Sequence, residues 1–105
     1  MMTPKHPCYF DYEPNSKQMG EVYRFDPLAG LNPAQAQLIL GAEGEMWTDK
    51  HWSSDEIDRH VYPRALALAE TLWSPPETKD YQNFLTRLPA GLARLDQLGV
   101  HYFRG

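Results

Sequence analysis

One apolar stretch of this 105-residue chain limits the choice of fold more than any other feature. The run Leu38-Ile39-Leu40-Gly41-Ala42 does not alternate with polar residues, which is typical of a strand covered on both faces, as in a parallel sheet. Polar residues follow at once, from Glu43 to Asp49, and α/β folds carry their ligand sites at the carboxyl ends of such strands. We therefore predict a strand over about 38–47, with a candidate site at its end.

A second strand is predicted near the start of the chain. The aromatic run PCYFDY, over about 7–12, suits a buried strand that begins at a proline. The segment 13–37 is predicted to be mainly loop, because it is polar and carries turn-forming proline and glycine. Within it, Val22, Tyr23 and Phe25 suggest a brief extended piece, and Asn32-Pro33 is a helix start that allows one or two turns.

Two helices are predicted in the second half of the chain, over about 54–73 and 78–98. The first begins at a capping box, Ser53-x-x-Glu56, and the second keeps its apolar residues at a helical period. Pro63 is expected to kink or restart the first helix, and Pro89 to kink the second.

The order of these elements indicates an α/β fold, since strands without a hairpin turn precede amphipathic helices. A parallel strand needs hydrogen-bonding neighbours at both edges and cover on both faces. Two strands cannot provide these for each other. We therefore expect the chain to be part of a larger fold.

The charge, the apolar runs, the cysteine count and the first ten residues argue against several classes of function. Lys and Arg total 10 against 14 Asp and Glu, a formal charge of −4, which disfavours a nucleic-acid binder. No apolar stretch approaches the ~20 residues of a membrane span. The single cysteine, Cys8, cannot form an internal disulfide, no zinc-ligand spacing occurs, and no cofactor is predicted. The opening MMTPKHPCYF also lacks the basic and long apolar regions of a secretory signal.

Two aromatic-x-aspartate pairs are the best candidates for a binding site. Tyr9 and Asp11 lie two apart on the first strand, and Trp47 and Asp49 repeat that spacing at the end of the second. An aromatic face with a carboxylate beside it suits a sugar ring, whose C–H face packs on the ring while its hydroxyls bond the acid. The alternative is structural: a buried tyrosine paired with an aspartate, and a core tryptophan followed by a capping aspartate.

Three residues at 51–60 have side chains that could bind a metal ion. His51, Asp55 and His60 are potential ligands, but the two histidines do not share a helix face with the aspartate. The favoured interpretation is that all three are solvated polar residues of a loop and a helix.

The segment from Ile39 to Ser74 resembles the end of the catalytic barrel of glycoside hydrolase family 20, the β-N-acetylhexosaminidases. That family has a Gly-Gly/Ala-Glu/Gln-x-x-x-Trp-Gly/Thr-Glu strand end and then a Pro-Arg-x-x-Ala-x-Ala-Glu-x-x-Trp-Ser helix. The segment CYFDY, at 8–12, is similar to the family's Tyr-x-Asp strand end. The segment VYRFDP, at 22–27, is similar to the family's linking loop. The helix residues that match are Pro63, Arg64, Ala67, Ala69, Glu70, Trp73 and Ser74.

The resemblance implies that residues 1–105 are the last two β/α units of a (β/α)8 TIM barrel, with ligands at the carboxyl ends of the strands. It implies the hydrolysis of terminal β-linked GlcNAc or GalNAc by substrate-assisted retention, in which the acetamido oxygen attacks the anomeric carbon. The partners would be an amino-sugar glycoside and the remainder of the barrel. The residues themselves do not indicate a compartment, and the resemblance suggests a periplasmic, secreted or lysosomal one.

The resemblance also implies roles for the four candidate residues. Tyr9 would bond the acetamido oxygen and hold it in position for attack, Asp11 and Asp49 would hold sugar hydroxyls around O6 and O4, and Trp47 would line the sugar and acetamide pocket. Asp49 departs from the family, which usually has the longer Glu there. The family's catalytic Asp-Glu pair, in a His-x-Gly-Gly-Asp-Glu context, and its sugar-binding Arg are absent from these 105 residues, so we expect the chain alone to be inactive.

Two other classes of function stay open on the sequence alone. One is a non-catalytic carbohydrate-binding or interaction module, which would bind GlcNAc as a monomer. The other is a helical interaction domain without a site, in which the four candidate residues would be scattered.

Overall fold

The computed structural model describes residues 5–15, 17–48 and 52–104, and their regular structure is almost entirely helical. The helices are α1, Lys5–Cys8; α2, Gln18–Tyr23; α3, Pro33–Ala36; α4, Ser54–Val61; α5, Arg64–Trp73; and α6, Tyr81–Gln97. A 3-10 turn, Pro76–Thr78, lies between α5 and α6. Among the described residues, no helix combines the length and the apolar character that a membrane crossing requires.

The two predicted strands meet in a parallel bridge between Tyr9 and Glu45. The Phe10 N–H donates to the Glu45 carbonyl at 2.7 Å, and the Glu45 N–H donates to the Cys8 carbonyl at 2.8 Å. One residue thus exchanges hydrogen bonds with the two neighbours of its partner, as in a parallel ladder. This bridge sets the register between the two segments.

The prediction of regular strands over about 7–12 and 38–47 is nevertheless wrong for the described residues. The first of these segments begins inside α1, and the Leu38 N–H donates to the Gln35 carbonyl at 3.0 Å in a turn that follows α3. Leu38 and Leu40 are 78% and 87% exposed, so the described residues leave the two leucines of the apolar run uncovered. A parallel strand needs a neighbour at each edge, and the described residues form isolated bridges, such as the one between Tyr9 and Glu45, in place of a continuous ladder.

The segment 13–37, predicted to be mainly loop, contains two short helices, α2 and α3. The Asn32 side chain caps α3, as the sequence indicates, by accepting the Gln35 N–H at 2.8 Å. Val22 and Tyr23, expected to be extended, lie in α2 and are buried, at 0% and 3% exposed. They pack with α5, and this tertiary contact gives α2 a stability that its own short sequence lacks.

The helix predicted over about 54–73 is two helices that meet at Pro63. Ser53 caps α4, since its Oγ accepts the Glu56 N–H at 3.2 Å. Proline has no N–H with which to continue α4, and α5 begins at the next residue.

The helix predicted over about 78–98 is α6, which runs through Pro89. Asp80 caps its start by accepting the Asn83 N–H at 3.2 Å. Gly99 follows its end with a φ of +75°, a conformation that costs glycine least.

The core lies where the bridged segments pack on α2, α5 and α6. Its buried members are Cys8, Phe10, Val22, Tyr23, Ala67, Leu68 and Phe84. At Gly44, an added Cβ would lie 2.6 Å from Phe10 Cε2 and 2.9 Å from Leu68 Cδ2. Only glycine therefore lets the second segment approach the first segment and α5 this closely.

Candidate functional site

The register of the bridge brings three of the four predicted site residues together. Tyr9 pairs with Glu45 in the bridge, and the Asp11 carboxylate bonds the backbone amide of Trp47. Phe10, between the first pair, points into the core and is 4% exposed. The two segments thus have a core face towards the helices and a polar, aromatic face on the other side. We call Tyr9, Asp11, Glu45 and Trp47 the polar cluster.

Asp11 joins the two segments of the polar cluster. Its Oδ1 accepts the Trp47 N–H at 2.7 Å, and its Oδ2 accepts the Thr48 N–H at 2.8 Å. Thr48 has a φ of +51°, a conformation that non-glycine residues seldom adopt, and the Asp11 bond holds its amide there. Each carboxylate oxygen has a second lone pair, so Asp11 can still accept a ligand hydroxyl.

Trp47 presents the largest aromatic surface of the polar cluster and is 66% exposed. Its indole Nε1–H donates to Glu45 Oε2 at 2.6 Å. Tyr9 is half-buried, and its ring meets the Tyr12 ring edge-on with centroids 5.3 Å apart. Phenol, indole and carboxylates on one face can bond hydroxyl or amide groups and pack against an apolar ring face.

Arg64, the first residue of α5, holds the end of the first segment from the core side. Its guanidinium donates to the Phe10 carbonyl at 2.7 Å and to the Tyr12 carbonyl at 3.2 Å. These two hydrogen bonds fix the backbone on both sides of Asp11. The guanidinium also donates to the His60 carbonyl. Burial lowers the pKa of Arg64 to about 10, against the opposing effect of nearby carboxylates. The side chain therefore keeps its charge at neutral pH.

Cys8 lies behind the polar cluster, in the core. Burial, and to a lesser degree the charge of Glu45, raises the pKa of its thiol to about 11. The thiol is therefore protonated at neutral pH and is not a nucleophile.

Asp49, the fourth predicted site residue, lies outside the described residues, as does His51. Asp55 and His60, the other two potential metal ligands, have protein partners. The His60 ring stacks on Trp52 with centroids 4.2 Å apart, and Asp55 lies 3.5 Å from His101 Nε2. Within the described ranges, no group of three or more His, Cys, Asp or Glu side chains is arranged to hold a metal ion.

Sequence reasoning missed the roles of Glu45 and Arg64. Glu45 stands two residues before Trp47, the same spacing that singled out the other pairs, so the signal was present. Arg64 bonds Phe10, which is 54 residues away, and no local pattern reveals such a partner.

The comparisons with known proteins agree on one family. The family model described as glycosyl hydrolase family 20, catalytic domain, matches residues 1–76. A beta-hexosaminidase of Porphyromonas gingivalis is 37% identical over 83 residues, which are 78% of this chain and 11% of that protein. The beta-hexosaminidase subunit beta of Mus musculus is 29% identical over 95 residues, 90% of this chain and 18% of that protein.

Solved structures give the same result. The GH20 beta-N-acetylhexosaminidase of Streptomyces coelicolor A3(2) superposes with a TM-score of 0.86 at 26% identity, over 100% of this chain and 24% of that one. A GH20 exo beta-N-acetylglucosaminidase of Vibrio harveyi in complex with N-acetylglucosamine superposes with a TM-score of 0.81 at 25% identity. This match covers 97% of this chain and 18% of that one. The chain thus spans less than a quarter of the relatives and structures named here. It belongs to the catalytic domain of glycosyl hydrolase family 20.

Proposed function

We propose that this chain forms the last two β/α units of a (β/α)8 barrel and supplies one side of the subsite for a terminal β-linked N-acetylhexosamine. Its partners would be the remainder of the barrel and an amino-sugar glycoside. The observation that carries the proposal is the register set by the Tyr9–Glu45 bridge, since it gathers phenol, carboxylate and indole on one face. A (β/α)8 barrel binds its ligand at the carboxyl ends of the strands, and Asp11 and Trp47 each lie two residues after the bridged residues Tyr9 and Glu45 in the chain.

Each residue of the face has a role in the proposal. Tyr9 donates a hydrogen bond to the acetamido oxygen of the sugar and holds it in position for attack. Trp47 forms the wall of the acetamide pocket. Asp11 accepts a sugar hydroxyl with its remaining lone pairs, and Asp49 accepts another with a side chain one methylene shorter than glutamate.

The reaction in the proposal is substrate-assisted retention. The acetamido oxygen attacks the anomeric carbon, the bond to the leaving oxygen breaks, and a carboxylic acid protonates that oxygen. Water then attacks the anomeric carbon of the cyclic intermediate, the carboxylate left by the first step takes a proton from that water, and the product has the same anomeric configuration as the substrate. The acid and the group that orients the acetamido nitrogen are an Asp-Glu pair, which would come from another part of the barrel. Tyr9 contributes most as charge develops on the acetamido oxygen.

The test uses an active β-hexosaminidase whose last two β/α units are residues 1–105 of this chain. We call this protein the host enzyme. Tyr9→Phe should lower kcat on a chromogenic β-GlcNAc glycoside by about 10²-fold, with a much smaller change in KM. Tyr12→Phe is the matched control, because it removes a phenol from a more exposed ring of the same segment. An unchanged kcat in Tyr9→Phe would contradict the role of Tyr9.

The non-catalytic binding module is the competing function. Trp47 favours it, because a largely exposed aromatic ring is a surface on which sugars bind. Calorimetry of the 105-residue chain with GlcNAc separates the two. Binding by a monodisperse monomer supports the module, and absence of binding supports a subsite that needs the remainder of the barrel.

A further inference from the structure

We infer that Glu45 is a positioning residue that fixes the Trp47 indole and thereby sets which N-acyl groups the pocket accepts. The inference rests on the proposed function and deepens it. Neither the aromatic-x-aspartate pairs nor the family motif assigns a role to Glu45.

The backbone of Glu45 is fixed before its side chain acts. It pairs with Tyr9 in the parallel bridge, through hydrogen bonds of 2.7 and 2.8 Å to the neighbours of Tyr9. The side chain of Glu45 therefore starts from a defined position beside Tyr9, on the face of the polar cluster.

Trp47 is anchored twice. Its backbone N–H is held by Asp11 Oδ1 at 2.7 Å, and its indole Nε1–H by Glu45 Oε2 at 2.6 Å. The first bond fixes where the residue lies, and the second fixes where its ring points. A hydrogen bond to a charged acceptor is stronger than one between neutral groups, which suits this restraint.

Packing within this chain does not replace the second bond. The ring is 66% exposed, so most of its surface has no neighbour among the described residues. An exposed side chain moves readily between rotamers unless a polar contact holds it. The Glu45 carboxylate is therefore the contact that selects one orientation of the ring.

The orientation of the ring determines the depth of the acyl pocket. A fixed indole leaves room for the methyl group of an N-acetyl substituent and excludes longer chains. A ring released from Glu45 can turn aside and admit an N-propanoyl or N-butanoyl group. Glu45 would thus act on selectivity through Trp47, without touching the substrate.

The contact itself is tested by NMR of the 105-residue chain, at a concentration at which sedimentation velocity shows a monomer. The chain has three tryptophans, and a Trp47→Phe variant identifies the indole N–H signal of Trp47. Glu45→Ala should move that signal upfield, because the hydrogen bond is lost. Glu43→Ala is the matched control, since it removes the same charge two residues earlier from an exposed side chain. A Trp47 signal that does not move in Glu45→Ala overturns the inference.

The consequence is tested in the host enzyme by comparing kcat/KM for N-acetyl and N-butanoyl β-glucosaminides. Glu45→Ala should reduce the preference for N-acetyl by about fivefold. Glu45→Gln keeps an acceptor and should retain most of the preference, and Glu43→Ala should leave it unchanged. Selectivity that is unaltered in Glu45→Ala, although the indole signal moves, also overturns the inference.

The two proposals fail in different ways. If Tyr9→Phe keeps full kcat, the proposed function fails, whatever the indole signal does. If Tyr9→Phe loses kcat as expected but Glu45→Ala keeps its acyl preference, only the role of Glu45 fails.

Discussion

Cys8 connects the packing of the chain to a chemical property of a single residue. It is fully buried beside the polar cluster, and its thiol pKa is raised from 9.0 to about 11 by burial first and the Glu45 charge second. A shift of this size lowers the thiolate fraction at neutral pH by about 100-fold. Cys8 is therefore part of the core, and its reactivity reports whether the core is closed.

We predict that Cys8 resists alkylation by iodoacetamide in the folded chain. At pH 8 the rate should be at least about 100-fold lower than in the unfolded chain, since both the thiolate fraction and access fall. Mass spectrometry of samples quenched over time measures this. Equal rates with and without denaturant would show that the thiol is not buried.

The same shift gives a dependence of stability on pH. Below about pH 9 the thiol is protonated in both states and has no effect. Between about pH 9 and 11 the unfolded chain releases a proton that the folded chain keeps, so the free energy of unfolding falls as the pH rises. Cys8→Ala should abolish this part of the pH dependence.

Arg64 connects elements, because it joins α5 to the first bridged segment. Its bonds to the carbonyls of Phe10 and Tyr12 flank Asp11, and Asp11 in turn holds the amides of Trp47 and Thr48. A continuous set of contacts thus runs from a helix through one segment to the other. The position of the polar cluster depends on this set as well as on the bridge.

We predict that Arg64→Met destabilises the chain by about 2–4 kcal/mol, because it leaves buried carbonyls without a donor. Arg87→Met is the matched control: Arg87 pairs with Glu70 between α6 and α5, but it is half-exposed. Its loss should cost at most about 1 kcal/mol. Urea unfolding followed by tryptophan fluorescence gives both values, and equal losses would argue against the role of Arg64.

The elements differ in how far the sequence predicted them. Helix starts at Ser53 and Asn32 and the break at Pro63 depend on residues within one turn, so local patterns located them. The two regular strands that the sequence predicted are not present among the described residues. A regular parallel strand needs hydrogen-bonding neighbours at both edges, and a local sequence pattern does not show whether those neighbours exist. In the candidate site, the aromatic-x-aspartate spacing predicted Tyr9, Asp11 and Trp47. It did not predict Arg64, because the partners of Arg64 are set by tertiary packing.

At the scale of the whole molecule, several large apolar side chains are exposed. Leu38 and Leu40 are 78% and 87% exposed, and Trp73 is 89% exposed. Exposed apolar groups of this kind mark interaction surfaces. They are consistent with the small share of its relatives that the chain spans.

We predict that the isolated chain self-associates as its concentration is raised and shows no turnover of a β-GlcNAc glycoside. Replacing Leu38 and Leu40 together by serine should reduce the association, since it removes two exposed apolar side chains that lie close together in the sequence. Leu98→Ser, which changes an exposed leucine at the end of α6, is the control. A chain that stays monomeric at all concentrations in sedimentation velocity would contradict this.

The most direct test of the central claim is a crystal structure of the host enzyme with N-acetylglucosamine bound. We expect the Tyr9 hydroxyl within hydrogen-bonding distance of the acetamido oxygen, the Trp47 ring against the acetamido group, and Asp11 still bonded to the Trp47 amide. A sugar bound elsewhere, with the polar cluster turned away from it, would contradict the account.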